Sequence, residues 1–502
     1  MFFNRRLNGV RLFSSNAAAY AKKIKRNRTL SPNVKSDKEK KLQFNPRNRS
    51  DKEFMIGPPN TGEFGRLKLV EKRDRIVHKN TIEKIKSFSS LRIEPSVREA
   101  IENELLGHLP TKMPTPVQKL AIKAIRATKR TPDVLHTYLL AAETGSGKTL
   151  SYLAPLMSNL KDEETNNPEE WEKMYKAPLV RSVVFVPTLE LVSQVNDVVR
   201  KLTKSVKLTS FASGQGISNK SASAKLTRRT DILITTPDRF LNMFKNPAVK
   251  GHLSHCKFAV VDEADTLMDE SFCESTHESI QLMTNLKDLV FCSATIPRSF
   301  DRLMKKTYPN AARIVTPGLH KIPRHIDFRV VEVFKPPFLN SKQLALQQAL
   351  YAIHHDNTEE GLVKRVVVFV NKAEDIEEIV NHLNEKGYPS VGAYGKVPRQ
   401  ERMQIIQDFV SPAKSLEEYQ NSKTKVKVLV TTDLLARGVD MQGIRNIILY
   451  DLPYSSVDML HRAGRTGRLN RRGRVLLFVT KKESQGWVKG IERTVRNGMA
   501  LA

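Results

Sequence analysis

Cysteine is scarce in this chain: its 502 residues include three, Cys256, Cys273 and Cys292. Their spacing fits no zinc pattern and three thiols cannot all pair, which excludes a disulfide scaffold and a structural zinc domain. Free thiols in a reducing compartment remain, and Cys292, closing an apolar run, is expected in the core. Long apolar runs are also missing. No stretch approaches the roughly 20 residues that span a bilayer, so no integral membrane segment is expected. Acidic residues are absent from the start of the chain, where the first is Asp37. In that leader Phe2, Phe3, Leu7, Val10, Leu12 and Phe13 interleave with Arg5, Arg6 and Arg11 at helical spacing, without a secretory-type apolar core. An Arg-rich, acid-poor, amphipathic leader reads as a mitochondrial transit peptide, assigned to residues 1–30, against the plainer alternative of a generic basic tail. The expected compartment is the mitochondrion, in the matrix.

What the chain has in excess is positive charge, a formal +30. Such an excess suits a polyanionic partner, because Lys and Arg on phosphates release condensed counterions. Residues 31–86 mix Lys, Arg, Asn, Ser and Pro without a stable period and read as a basic disordered extension. Beyond them short apolar runs recur between helix-length segments: Tyr138–Ala142, Ser182–Val186, Asp231–Thr235, Phe258–Val261 and Leu289–Cys292. After a Pro-rich stretch they resume at Val366–Val370, Val426–Val430, Ile447–Tyr450 and Val475–Val479. Near-continuous Val/Ile/Leu runs alternating with helices predict parallel sheets covered on both faces. The expected fold is α/β, with one domain over 87–318, a linker over 319–337, a second domain over 338–486 and a short tail over 487–502. Two insertions, Asp162–Ala177 and Ser411–Lys425, read as solvated surface loops or as partner sites.

The polar motifs begin where the apolar runs stop, as ligand loops do in open parallel sheets. Ala142-Glu143-Thr144-Gly145-Ser146-Gly147-Lys148-Thr149 follows one run and precedes a helical pattern. It is a phosphate-binding loop with Ala142 where the usual pattern starts with Gly. Gly145 and Gly147 let backbone N–H groups turn toward phosphate oxygens at the positive end of the following helix. Lys148 neutralises the β- and γ-phosphates, and the Thr149 hydroxyl can ligate Mg²⁺. About 115 residues on, Val260-Val261-Asp262-Glu263-Ala264-Asp265 offers Asp262 to Mg²⁺, directly or through water, and Glu263 to the attacking water. The cofactors expected are therefore ATP and Mg²⁺.

With these motifs in place, residues 88 to about 480 resemble the DEAD-box ATP-dependent RNA helicases of superfamily 2, and are similar to fungal mitochondrial members. The resemblance implies two tandem RecA-like domains. It makes Pro114-Thr-Pro-Val-Gln118 the adenine-reading motif, with Gln118 on the base edge and Phe88 as the stacking aromatic. Ser293-Ala-Thr295, with Asp265 and His461, would couple hydrolysis to domain closure. In His461-Arg-Ala-Gly-Arg-Thr-Gly-Arg468, Arg465 and Arg468 would reach the γ-phosphate, and Asp440 would accept from the ribose. RNA would lie across Pro187, Thr188, Gly214, Gly216, Thr236, Arg239 and Thr431, held by its phosphate–sugar backbone and 2′-OH groups rather than read by sequence.

Three features depart from the family pattern. Leu189 stands where the family usually has Arg, Arg399 replaces a usual Gln, and the spacer at Ala127–Thr137 is longer. None touches the hydrolytic residues, whereas all bear on RNA affinity. The implied activity is RNA-dependent ATP hydrolysis coupled to local RNA unwinding or ribonucleoprotein remodelling by a monomer. RNA metabolism or assembly of mitoribosomal precursor particles is the expected setting. An ATP-gated RNA clamp with little strand separation is the alternative, and a DNA helicase is the weaker third reading.

Overall fold

The computed structural model describes residues 80–501 except 128–133, 215, 246, 412, 414, 417–423, 434–442, 468–470 and 485–487. The expected transit peptide, most of the expected basic extension, Asp440 and Arg468 lie outside the described residues.

The apolar runs are long enough to be buried on both faces, and the chain arranges them into two sheets. The first contains β1 (His136–Ala141), β2 (Val180–Phe185), β3 (Ser210–Ala212), β4 (Thr230–Thr235), β5 (Phe258–Asp262), β6 (Asp288–Ser293) and β7 (Ala312–Val315). Its spatial order is β3-β4-β2-β5-β6-β1-β7. The second contains β8 (Ile326–Glu332), β9 (Lys364–Phe369), β10 (Ser390–Ala393), β11 (Val426–Thr431), β12 (Asn446–Leu449) and β13 (Gly473–Val479), in the order β10-β11-β9-β12-β13-β8. All these ladders are parallel. Alternation sends neighbouring residues to opposite faces. Val260 and Val290 join one apolar cluster, while Ala259, Val261, Leu289 and Phe291 join the other.

Eight helices matter for the site: α1 (Pro116–Ile125), α2 (Lys148–Asn166), α3 (Pro168–Tyr175), α4 (Leu189–Val206), α5 (Pro237–Phe244), α6 (Arg399–Val410), α7 (Ser456–Ala463) and α8 (Ile491–Arg496). Pro116 and Pro237 each occupy a first helical turn, where a missing N–H costs nothing. The register of the first sheet then sets out the chemistry. Asp262 on β5 is level with Cys292 on β6, and Ser293 on β6 with Ala141 on β1. The phosphate loop, the acidic motif and the Ser-Ala-Thr segment thus leave three adjacent strands at the same edge.

Three expectations are corrected. The acidic insertion at 162–177 is helical: α2 runs on to Asn166 and α3 follows. Its acids have a structural task, because the Arg181 guanidinium on β2 is fully buried and needs counter-charges. Glu163 and Glu164 supply them at 3.0 and 2.8 Å, with Asp231 at 3.1 Å, and the Trp171 ring lies 4.5 Å from the guanidinium carbon. The expected linker also contributes β8, an edge strand paired along β13. And the tail is no loose end: Ile491, Val495 and Leu501 belong to the core of the second lobe.

Candidate functional site

Between β1 and α2 the phosphate loop turns on two left-handed glycines, Gly145 (φ 74°) and Gly147 (φ 87°). A Cβ on Gly147 would collide with the Gln118 amide nitrogen, so glycine is needed for space as well as conformation. Gln118 is nine-tenths buried: its Oε1 accepts from Thr115 N at 2.9 Å, and its Nε2 donates to Gly147 O at 3.3 Å. This residue therefore braces the loop from α1. The Lys148 ammonium donates to the carbonyls of Ala142 (3.1 Å) and Glu143 (3.2 Å), holding the loop closed on itself. Glu143 accepts from Thr316 Oγ1 at 2.9 Å, Ser146 donates to Glu143 O at 2.6 Å, and Thr144 donates to Gly464 O in the second lobe at 3.2 Å.

Beside the loop lies a cavity of about 450 Å³, lined by Ile82, Glu83, Pro116, Val117, Glu143, Ser146 and Thr316 to Gly318. The stacking role expected of Phe88 is not available there. Its ring is fully buried in the apolar cluster that includes Ile85, Val97 and Ile122, with no face left for a base. The aliphatic wall comes instead from Ile82, Pro116 and Val117. Ile82 lies just upstream of the motifs, where no sequence pattern marks it.

At the end of β5, Asp262 Oδ2 accepts from Tyr152 Oη at 2.8 Å and Oδ1 from Glu263 N at 2.9 Å. Burial, then the Glu263 charge, push the Asp262 carboxyl up to about 6, against the pull of Tyr152 and Lys148. Glu263 itself has φ 49°, a left-handed backbone that a non-glycine residue adopts at a cost of about 1–3 kcal/mol. That strain turns its carboxylate out of the strand. Asp262 and the Thr149 hydroxyl are hard oxygen donors, the chemistry that suits Mg²⁺.

The coupling residues come together across the lobes. Asp265 accepts from the Thr295 hydroxyl, and His461 Nε2 on α7 stands 3.5 Å from Asp265 Oδ2. Burial alone would raise the Asp265 carboxyl, but His461 and Thr295 hold it well below the usual carboxylate range. Ser293 Oγ accepts from Thr295 N at 3.1 Å and donates to Thr295 O at 2.7 Å, which fixes the segment. Arg465 is buried, with Nε on His461 O at 3.1 Å.

On the proposed nucleic-acid face the strand-end loops stand in one lobe each. Thr188 caps α4 by accepting from Leu191 N at 3.3 Å, with Pro187 before it and Leu189 packed on the core. Thr236 caps α5 by position. Arg239 is differently occupied than expected: Nε donates to Ser213 Oγ at 3.1 Å and Nη2 to Ile217 O, so it braces the Gly214–Gly216 turn. Gly216 (φ 72°) has open space where a Cβ would stand. Thr431 also faces inward, its hydroxyl donating to Ala393 O at 2.9 Å, which leaves Thr432 as the more open hydroxyl of that loop.

Two buried residues that brace the site are not singled out by the sequence motifs. Arg462, one place after His461, is buried and grips both oxygens of Asp433 at 2.7 and 2.6 Å. The motif pattern marks its neighbours Arg465 and Arg468, and the signal for Arg462 is its possible pairing with the acid of Thr431-Thr-Asp433. His320 is buried and its Nε2 accepts from Ile296 N at 2.9 Å, just past Thr295. No local pattern announces that contact.

Among the described residues no helix is long and apolar enough to cross a membrane. Residues 115–303 match the DEAD/DEAH box helicase family, and residues 343–470 match the helicase conserved C-terminal domain. The ATP-dependent RNA helicase MRH4, mitochondrial, of Vanderwaltozyma polyspora is 37% identical over 486 residues, covering 88% of this chain and 90% of that relative. Its Saccharomyces cerevisiae namesake is 37% identical over 518 residues, covering 93% and 91%. Among solved structures, an Mss116p double deletion bound to ssRNA and AMP-PNP has a TM-score of 0.63 at 23% identity, over 82% of this chain and 76% of that one. Dbp5 of S. cerevisiae bound to RNA and ADP BeF3 has a TM-score of 0.61 at 21% identity, over 82% and 93%. At such identities these two show the fold, a tandem RecA-like pair. By family match and by identity along nearly its whole length, this chain belongs to the DEAD/DEAH box helicases, among the ATP-dependent RNA helicases.

Proposed function

We propose that the chain works in the mitochondrial matrix as an RNA-dependent ATPase that remodels RNA or ribonucleoprotein, in RNA metabolism or mitoribosome assembly. One observation carries the coupling: Asp265 beside the hydrolytic acids touches both Thr295 and, across the lobes, His461. The residues that handle ATP are thereby linked to the second lobe, whose movement would act on RNA. Bound with Mg²⁺, the nucleotide would meet Lys148, Thr149, Asp262 and Glu263, and the ion supplies charge stabilisation at the phosphates. Glu263 takes the proton of the attacking water. The names of the fungal relatives support the compartment, and the RNA in the solved neighbours supports an RNA partner.

The test is Glu263→Gln, which keeps shape and hydrogen bonding but cannot accept the proton. It should bind ATP, lose turnover by at least about 100-fold and stay on RNA, because general-base removal costs 10²–10⁴. Near-normal turnover would remove Glu263 from that role. Leu189, packed on the core rather than offering a cation, favours a second reading as an ATP-gated clamp. Strand separation measured beside equilibrium RNA binding separates the two, since a clamp binds tightly with little unwinding.

A further inference from the structure

Tyr152 is a long aromatic residue inside α2, fully buried, and a Phe there would fill the same core volume. What it adds is a hydroxyl, and that hydroxyl is committed. It donates to Asp262 Oδ2 at 2.8 Å. Thr149 and Tyr152 sit three residues apart on α2 and so share a helix face. The two oxygen groups assigned to Mg²⁺ thus come from different elements, the start of α2 and the end of β5, and Tyr152, on the same helix as Thr149, reaches the carboxylate on β5. Asp262 has few other restraints. Its Oδ1 takes the Glu263 N–H, and its neighbour in register on β6 is Cys292, a weak donor at best. Without the Tyr152 hydroxyl, Oδ2 loses its 2.8 Å donor.

We propose that Tyr152 is a positioning residue for the divalent cation: its hydroxyl, carried on the same helix as Thr149, aims the Asp262 carboxylate. It touches neither nucleotide nor reacting water and acts through Asp262. Partners of this kind orient metal-binding carboxylates, and their loss typically costs 10–100-fold in metal affinity. This rests on the Mg²⁺ reading given above.

The experiment is Tyr152→Phe in the full chain, read as equilibrium binding of a non-hydrolysable ATP analogue in EDTA and across a MgCl₂ titration. For the unaltered protein, Mg²⁺ should strengthen binding. In Tyr152→Phe, binding in EDTA and the thermal midpoint should stay close to the parent's, while the strengthening by Mg²⁺ falls about 10-fold or more. Half-saturating Mg²⁺ should rise accordingly, and excess Mg²⁺ should recover ATP turnover. If the parent shows no Mg²⁺ effect, the metal reading itself fails. If the parent does and Tyr152→Phe matches it within about twofold, the hydroxyl has no positioning role. Equal losses with and without Mg²⁺ would also overturn the proposal, by marking Tyr152 as a core residue whose hydroxyl only supports packing.

Discussion

Arg462→Met should break the second lobe where its two motif loops meet, and the structure sets the size of the effect. The Arg462 side chain is 1% exposed; besides Asp433 it reaches Asn371 Oδ1 at 2.7 Å and Asp451 O at 3.3 Å. Methionine fills much of the volume but leaves Asp433, Asn371 and the carbonyl without their donor. Removing one member of a buried ion pair costs about 3–5 kcal/mol, because the other charge stays behind. The Asp433 side chain is 25% exposed, so water recovers part of its solvation and the lower figure applies, about 3 kcal/mol. Asp433→Asn keeps one acceptor and should cost about 1–2 kcal/mol. The double variant should then cost about 1–2 kcal/mol less than the sum, since each single change already destroys the shared contact. A two-lobed chain need not unfold in one transition, so the readout is amide hydrogen exchange in β11 and β12, which reports local opening. Additivity within about 0.5 kcal/mol would refute the pairing as an energetic unit.

Other substitutions test other parts of the site. Gly147→Ala combines an unfavourable φ with a clash on Gln118, so nucleotide affinity should drop about tenfold or more in a binding titration. Burial would raise the Asp356 carboxyl, but hydrogen bonds from Lys364, Thr358 and Arg474 bring it down to about 2. Its folded value lies below its unfolded one, so the stability it adds is complete above about pH 4 and is lost as pH falls through about 2. Asp356→Asn should flatten thermal midpoints measured over that acid range. Leu189→Arg should steepen the salt dependence of RNA affinity by about one phosphate's share, about 0.7 in log K per log salt for single strands. Deleting residues 31–79 should flatten it, and equal slopes would show that the extension is no RNA-binding arm.

Much of this was readable before any fold was known, for a physical reason. Parallel strands buried on both faces must be nearly all apolar, and their carboxyl ends must hold the polar loops, so runs such as Phe258–Val261 locate Asp262 and Glu263 directly. The phosphate loop is local, set by two glycines and a lysine within eight residues. What the sequence concealed is long-range satisfaction of buried groups. Glu163 and Glu164 look solvated until Arg181, an internal cation on β2, is seen to require them. Phe88 looks available for a base until the cluster around it closes. Arg239 and Thr431 have the chemistry of RNA contacts, yet each is bonded to its own lobe.

The short helix α7 offers an account of why hydrolysis and RNA binding are linked in one molecule. Its Ser455 cap accepts from Asp458 N at 3.2 Å and fixes the start, so the positions that follow are set by helical geometry. His461 and Arg462 are consecutive and therefore point about 100° apart around the axis. One meets Asp265 of the first lobe, two residues from Glu263; the other holds Asp433 in the loop proposed to face RNA. Two residues later Gly464 O accepts the Thr144 hydroxyl of the phosphate loop, at an approach where a Cβ on Gly464 would strike Thr144. Three residues within a span of four thus touch the phosphate loop, the acidic motif and the Thr431-Thr-Asp433 loop. A rigid turn of α7 cannot change one of these contacts while leaving the others in place. Nucleotide state and RNA grip would then be two readings of one helix position, with no longer chain of intermediates between them.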